Sequence, residues 1–247
     1  MDSTFAIYVV IGFVAQLIDG ALGMAFGVIT MSALLSLGMS PAAASASVHL
    51  AEVFTTSLSG LSHIYHRNVD WRLMIRLAIP GTIGAVLGAY LLTQVPGDNI
   101  RPLIALYLIL MGGVILRRAL SRAAKHRPAP AVVPLGLCGG FLDATGGGGW
   151  GPVVASSLLA WGSAPRFALG SVNMAEFFVC LGASVIFAVH LSPDYLEVVL
   201  GLIAGGAISA PLAGYLVKRM PARLIMGIVS ILVICISFFV LWESQGR

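Results

Sequence analysis

The run Phe5–Leu37 is 33 residues long and carries one charged residue, Asp19. Seven more apolar runs follow it: Pro41–Tyr65, Leu73–Leu92, Leu103–Leu116, Ala131–Trp161, Pro165–Val189, Tyr195–Val217 and Leu224–Trp242. A helix on the surface of a soluble protein keeps one polar face, whereas crossing the ~30 Å hydrocarbon layer takes about 20 apolar residues. Only 10% of the chain is charged, and mean hydropathy is +0.97. Soluble domains carry about 25% charge, enough to coat a wet surface. The composition therefore excludes disorder, a disulfide scaffold and a soluble enzyme. Continuous runs also exclude an outer-membrane barrel, whose strands alternate apolar and polar residues. The predicted fold is an all-α polytopic membrane protein, because backbone amides buried in lipid must be paired within helices.

The other global features fit this reading. Cys138, Cys180 and Cys235 all lie in apolar runs, so a disulfide framework is not expected. The net charge of +4 and pI near 9.2 come mainly from short loops, as the positive-inside rule requires, and nucleic-acid binding is not expected. The start Met1-Asp2-Ser3-Thr4 lacks a basic region, and the apolar run behind it is too long for a signal peptide.

The chain repeats itself at an offset of 124 residues. Asp19 meets Asp143, Gly27 meets Gly151, Gly38 meets Gly162 and Pro41 meets Pro165. Ser47-Val48-His49-Leu50-Ala51-Glu52 meets Ser171-Val172-Asn173-Met174-Ala175-Glu176, and Asp70 meets Asp194. One inserted residue later, Tyr90 meets Tyr215 and Pro96 meets Pro221. Two homologous halves follow, 1–125 and 126–247, joined by the polar link Arg117–Pro130 and forming one integrated domain.

Each half opens with an anomalous run. As one helix, Phe5–Leu37 would reach about 50 Å. It holds Asp19 and Gly20 at its middle, and its counterpart holds Asp143 and Gly146-Gly147-Gly148-Gly149. Glycine is a poor helix-interior residue. Each opening run is predicted to be two short helices meeting at an unwound point.

Charge arithmetic tests the threading. If all eight runs cross the membrane, Lys and Arg divide nine to five between the two sides. If each opening run enters and returns to its own side, they divide 12 to 2. The second split obeys the positive-inside rule and makes the halves an inverted repeat.

Four acids fall within apolar runs: Asp19, Asp143, Glu52 and Glu176. A carboxylate in the bilayer must be protonated, paired or facing a wet cavity. Asp19 and Asp143 either cap the broken helices or contact substrate and protons. Glu52 and Glu176 have no helix start to cap and are the candidate proton carriers. A helix that breaks at membrane depth exposes free N–H groups and a partial positive charge, which form an anion site needing no basic side chain. Gly20, Gly23 and Gly146–Gly149 would let an anion approach the backbone. Ser47 and His49, with their equivalents Ser171 and Asn173, add side-chain donors, and His49 shares a helix face with Glu52. Gly84-xxx-Gly88, Gly136-xxx-Gly140 and Gly201-xxx-Gly205 read as helix packing alone. No metal-ligand spacing, nucleophile elbow, P-loop or dinucleotide fingerprint is present, and no cofactor is expected.

The regions Phe13–Glu52, with DGALGMAFG and PAAASASVHLAE, and Gly136–Glu176, with GGFLDATGGGGWGP and PRFALGSVNMAE, resemble the two signature regions of the sulfite exporter TauE/SafE family. The resemblance implies a permease for sulfur-containing anions such as sulfite and sulfonates, a bacterial inner-membrane location and coupling to the proton gradient. The first half departs from the glycine-dense form, with Ala21-Leu22-Gly23-Met24 where the second has Thr145 to Gly148, so the second break is the better anion candidate.

The expectation is a secondary transporter of a small sulfur oxoanion. Amides around Gly147–Gly149, with Ser47, His49, Ser171 and Asn173, would hold the anion, and Glu52 and Glu176 would carry protons. The partners are then a small anionic substrate, the lipid bilayer and protons, with a homodimer left open. A passive anion channel, a carboxylate transporter of the same fold, and a thiol relay through Cys138 and Cys180 are the competing readings.

Overall fold

The computed structural model describes residues 3–121, 131–219 and 221–245. The link between the halves falls largely on 122–130, outside the described residues. Ten α-helices are present among the described residues: α1 (Ser3–Leu22), α2 (Phe26–Ser36), α3 (Pro41–Tyr65), α4 (Trp71–Gln94), α5 (Gly97–Leu120), α6 (Val132–Gly146), α7 (Ser156–Ala160), α8 (Pro165–His190), α9 (Leu196–Arg219) and α10 (Ala222–Gln245). A π-helical turn, Trp150–Ala155, leads into α7, and a short 3-10 turn, Pro193–Tyr195, leads into α9.

Both opening runs are broken where the glycines predict. In the first half α1 stops at Leu22 and α2 starts at Phe26; in the second α6 stops at Gly146 and the π turn starts at Trp150. Gly23 and Gly147 both take φ +68°, a left-handed conformation that ends a helix cheaply only at glycine. The return loops also match. Gly38 and Gly162 both sit at φ +85°. There the N–H of Met39 bonds the Leu34 carbonyl and that of Ser163 the Leu158 carbonyl, at 3.1 Å each.

Among the described residues, five helices are long and apolar enough to cross a membrane: α4, α5, α8, the Pro193–Ala210 stretch and Arg223–Ser244. At 1.5 Å per residue, the 24 residues of α4 reach about 36 Å. α3 has 25 residues but a polar stripe, Ser45, His49, Glu52 and Thr56, all buried. The outer surface is apolar instead: Ile75, Ile79, Ile83 and Leu87 recur every four residues along α4 and are exposed. This is the inside-out pattern expected of a chain whose solvent is lipid.

Glycine stripes set the helix contacts. Gly84 and Gly88 of α4 lie against Leu137 and Phe141 of α6, while Gly136 and Gly140 of α6 lie against Leu77 and Gly81 of α4. A Cβ on Gly140 would sit 2.0 Å from the Gly81 carbonyl oxygen. The equivalent pair α1·α9 uses Gly12, Gly201 and Gly205 in the same way. These stripes are packing surfaces, as their spacing predicts.

The contacts exchange between halves. α4 packs on α6 as α9 packs on α1, α4 on α8 as α9 on α3, and α3 and α5 pack on their own counterparts α8 and α10. Along α3 and α8, His49 stacks near Phe187, Glu52 meets Cys180 and Gly60 meets Met174. Rising numbers on one helix meet falling numbers on the other, so these equivalent helices run antiparallel. α5 and α10 do the same, with Arg101 against Glu243 and Gly112 against Ser230 and Ile234.

Candidate functional site

The two breaks touch each other. A Cβ on Gly27 would lie 2.7 Å from the Gly147 oxygen, and one on Gly148 would lie 2.3 Å from the Val28 nitrogen. Only glycines permit so close a backbone crossing. At this crossing is a cavity of about 10 Å³, room for roughly one water. Its polar lining includes Asp19, Glu52, Asp143 and Glu176, with Gly27, Val28, Gly148, Gly149 and Gly151 contributing backbone.

Asp19 and Asp143 are helix caps. Asp19 Oδ1 accepts from the N–H of Ala25 at 2.7 Å and of Phe26 at 3.2 Å. Asp143 Oδ1 accepts from Gly149 at 2.6 Å and Trp150 at 2.9 Å, the same bonds 124 residues on. Each carboxylate satisfies amides that a broken helix leaves without carbonyl partners. The sequence reading left capping and substrate contact open for these two; their geometry is that of caps.

The caps change which amides face the cavity. Gly149 N–H belongs to Asp143, and Gly147 N–H bonds the Asp143 carbonyl at 2.7 Å. The expected Gly147–Gly149 cradle is thus partly committed within the chain. The first intrahelical bond of α2 runs from Ile29 to Ala25, and that of the π turn from Val153 to Gly149. Gly27, Val28 and Gly151 precede those bonds and have no intrahelical acceptor. All three residues line the cavity. Pro152, the equivalent of Val28, has no N–H to offer, a loss that costs little in a first helical turn.

The other expected residues divide. His49 Nε2 lies 3.2 Å from Asp143 Oδ2, and His49 Nδ1 lies 2.8 Å from the Ser45 carbonyl. Glu52 accepts from Cys180 Sγ at 3.5 Å. Glu176 lines the cavity opposite it. Asn173 buries its Oδ1 with no partner among the described residues. Ser47 turns away and donates to the Ala43 carbonyl at 2.8 Å. Ser171 holds the start of α4, bonding Asp70 N–H at 2.8 Å and its carbonyl at 3.2 Å. Gly146 packs on the Tyr107 ring, Gly23 supplies the break itself, and Gly20 is exposed on α1.

Two participants, Ser45 and Arg118, escape the sequence reading, and a third, Cys180, enters it only as a candidate thiol. Ser45 Oγ bonds the Ala144 carbonyl at 2.7 Å and tethers α3 to the second break; its spacing of four from His49 was the available signal. Cys180 arrives from α8 through tertiary packing alone. Arg118 reaches in from α5: its Nη1 lies 2.9 Å from Met24 Sδ and 3.1 Å from Ser156 Oγ, with no carboxylate within ion-pair distance among the described residues. Met24 lines the cavity, so a cation stands one residue away from it.

A small polar cavity between broken helices, wrapped in lipid-facing spans, is the build of a membrane transporter. The chain belongs to the sulfite exporter TauE/SafE family, whose model matches residues 8–240. It is 47% identical over 232 residues to the probable membrane transporter protein YtnM of Bacillus subtilis strain 168, covering 90% of this chain and 77% of that protein. It is 31% identical over 174 residues to a probable membrane transporter protein, ORF9, of a Sinorhizobium species, covering 69% and 61%. A probable membrane transporter protein of Xylella fastidiosa strain Temecula1 is 26% identical over 199 residues, 74% of each chain. No solved structure matches. The protein is a multi-pass membrane transporter and not an enzyme.

Proposed function

We propose that this transporter carries a small sulfur-containing oxoanion, such as sulfite, sulfoacetate or another organosulfonate, together with protons across a bacterial inner membrane. The family's printed description supports the substrate class. The observation that carries the coupling is the pair Glu52 and Glu176 lining one cavity, neither paired with a Lys or Arg among the described residues. An anion held by the amides of Gly27, Val28 and Gly151 would share that cavity with both carboxylates. Like charges a few ångströms apart in low dielectric repel strongly. The anion therefore binds only when the glutamates carry protons, and each anion brings protons with it.

The antiparallel pairing of α3 with α8 supports an inverted repeat, in which the halves rock about the crossing of the breaks. The Gly38 loop then faces one side of the membrane and the Gly162 loop the other. Two equivalent broken helices meeting at one crossing favour alternating access over an open channel. Liposomes holding the purified chain test the reading. Sulfite uptake that saturates, shows counterflow and follows an imposed proton gradient supports it; uptake that is linear in concentration and indifferent to the gradient overturns it. A carboxylate panel in the same assay separates the sulfur substrates from their carboxylate analogues.

A further inference from the structure

We propose that His49, Glu52, Asp143 and Cys180 form a binding site for a divalent cation of the Zn²⁺ class. The four are buried, and one ligand atom from each lies within 4.8 Å of the others. They come from α3, the end of α6 and α8, so no spacing along the chain announces them. Nitrogen, oxygen and thiol sulfur together are the donor set Zn²⁺ prefers.

Two edges of a coordination tetrahedron already have the right length. Zn–N and Zn–O bonds near 2.1 Å put a nitrogen and an oxygen ligand about 3.4 Å apart, and a Zn–S bond near 2.3 Å puts oxygen and sulfur about 3.6 Å apart. His49 Nε2 and Asp143 Oδ2 are separated by 3.2 Å, and Glu52 Oε2 and Cys180 Sγ by 3.5 Å. Closing the two edges around one ion takes only a small inward shift.

The histidine supplies an independent indication. Its Nδ1 faces the Ser45 carbonyl, which can only accept, so the ring proton sits there. A metal-ligating histidine is normally oriented by such a bond on its far nitrogen. Nε2 shares a proton with Asp143 Oδ2 in a histidine–carboxylate hydrogen bond, and a metal ion would take the place of that proton. A metal ion entering would release that proton and the Cys180 thiol proton to solvent, leaving imidazole, two carboxylates and a thiolate as ligands. The occupied site would tie α3 of the first repeat to α6 and α8 of the second and withdraw Glu52 from proton transfer. That last consequence rests on the transport reading above, and it predicts inhibition by Zn²⁺.

The test uses the full chain in detergent with Cys138→Ala and Cys235→Ala, both exposed positions, so that Cys180 is the only thiol. Titration with Co²⁺ should produce a thiolate-to-metal charge-transfer band that Zn²⁺ then removes. Zn²⁺ should raise the unfolding temperature where Mg²⁺ does not. Cys180→Ser should abolish the band, and His49→Gln or Glu52→Gln should weaken Zn²⁺ binding by about tenfold or more. Absence of both the band and the Zn²⁺ shift overturns the site, as does unchanged Zn²⁺ binding in Cys180→Ser and Glu52→Gln. Should His49→Gln fail to fold, those two variants decide alone. None of these readouts needs transport: a chain that binds Zn²⁺ but moves no sulfite keeps this site and sinks the transport reading, and the reverse result does the opposite.

Discussion

The His49 imidazole of the first repeat meets the Asp143 carboxylate of the second at 3.2 Å, and that carboxylate's other oxygen caps the helix beyond the break. One side chain thus holds a broken helix open and fastens it to the opposite repeat. Asp19 has only the first duty, since Asn173 stands where His49 would be. Loss of a cap costs about 0.5–2 kcal/mol. Asp143→Ala should exceed Asp19→Ala in destabilisation, because it also leaves a buried imidazole unpaired. Thermal unfolding of both variants in one detergent checks the order; equal losses would refute the double role.

Glu176→Gln should abolish proton-coupled flux while leaving the fold intact. In the unchanged protein, binding of an alkylsulfonate should strengthen as pH falls, because protonated glutamates remove the repulsion. Thermal stabilisation by the ligand, followed across pH, reads this directly. Pronounced pH dependence surviving in the Glu52→Gln, Glu176→Gln double variant would reject the assignment.

Arg118 should matter to the anion. Its guanidinium rests on a thioether and a hydroxyl, weak partners that an oxoanion can replace. Arg118→Gln should raise the KM for sulfite about tenfold or more, the worth of a charge-assisted hydrogen bond, with little change in maximal rate. Arg118→Lys should recover part of the loss. A KM unaltered in Arg118→Gln would assign the residue to structure alone.

Gly140→Ala should be poorly tolerated, since its Cβ would lie 2.0 Å from the Gly81 oxygen and force α6 away from α4. Overpacking of this kind costs about 1–3 kcal/mol. Gly113→Ala on the exposed side of α5 meets nothing within 4 Å and should be neutral or stabilising. Comparing folded yield and unfolding temperature for the pair separates the close crossing from a general effect of removing glycine.

The breaks were legible because their cause is local: an acid, a left-handed glycine and a free helix start lie within eight residues, and the repeat states the pattern twice. The glycine stripes were legible for the same reason. The i+3 relation of Glu52 to His49 is likewise local, whereas the bond of Ser171 to Asp70, 101 residues away at the start of another helix, has no local signal. Cys180 and Arg118 reach the site through helix pairings that no periodicity encodes, and the cap bonds that occupy Gly149 depend on where Asp143 points, not on its presence.

The replacement of an N–H by a proline ring at one of two equivalent positions, Val28 against Pro152, has an effect larger than a single bond. Two identical copies would grip their cargo equally from either side of the membrane. Here the first copy offers two amides without an intrahelical acceptor and the second only one, so the donors around the crossing are unequal in the two repeats.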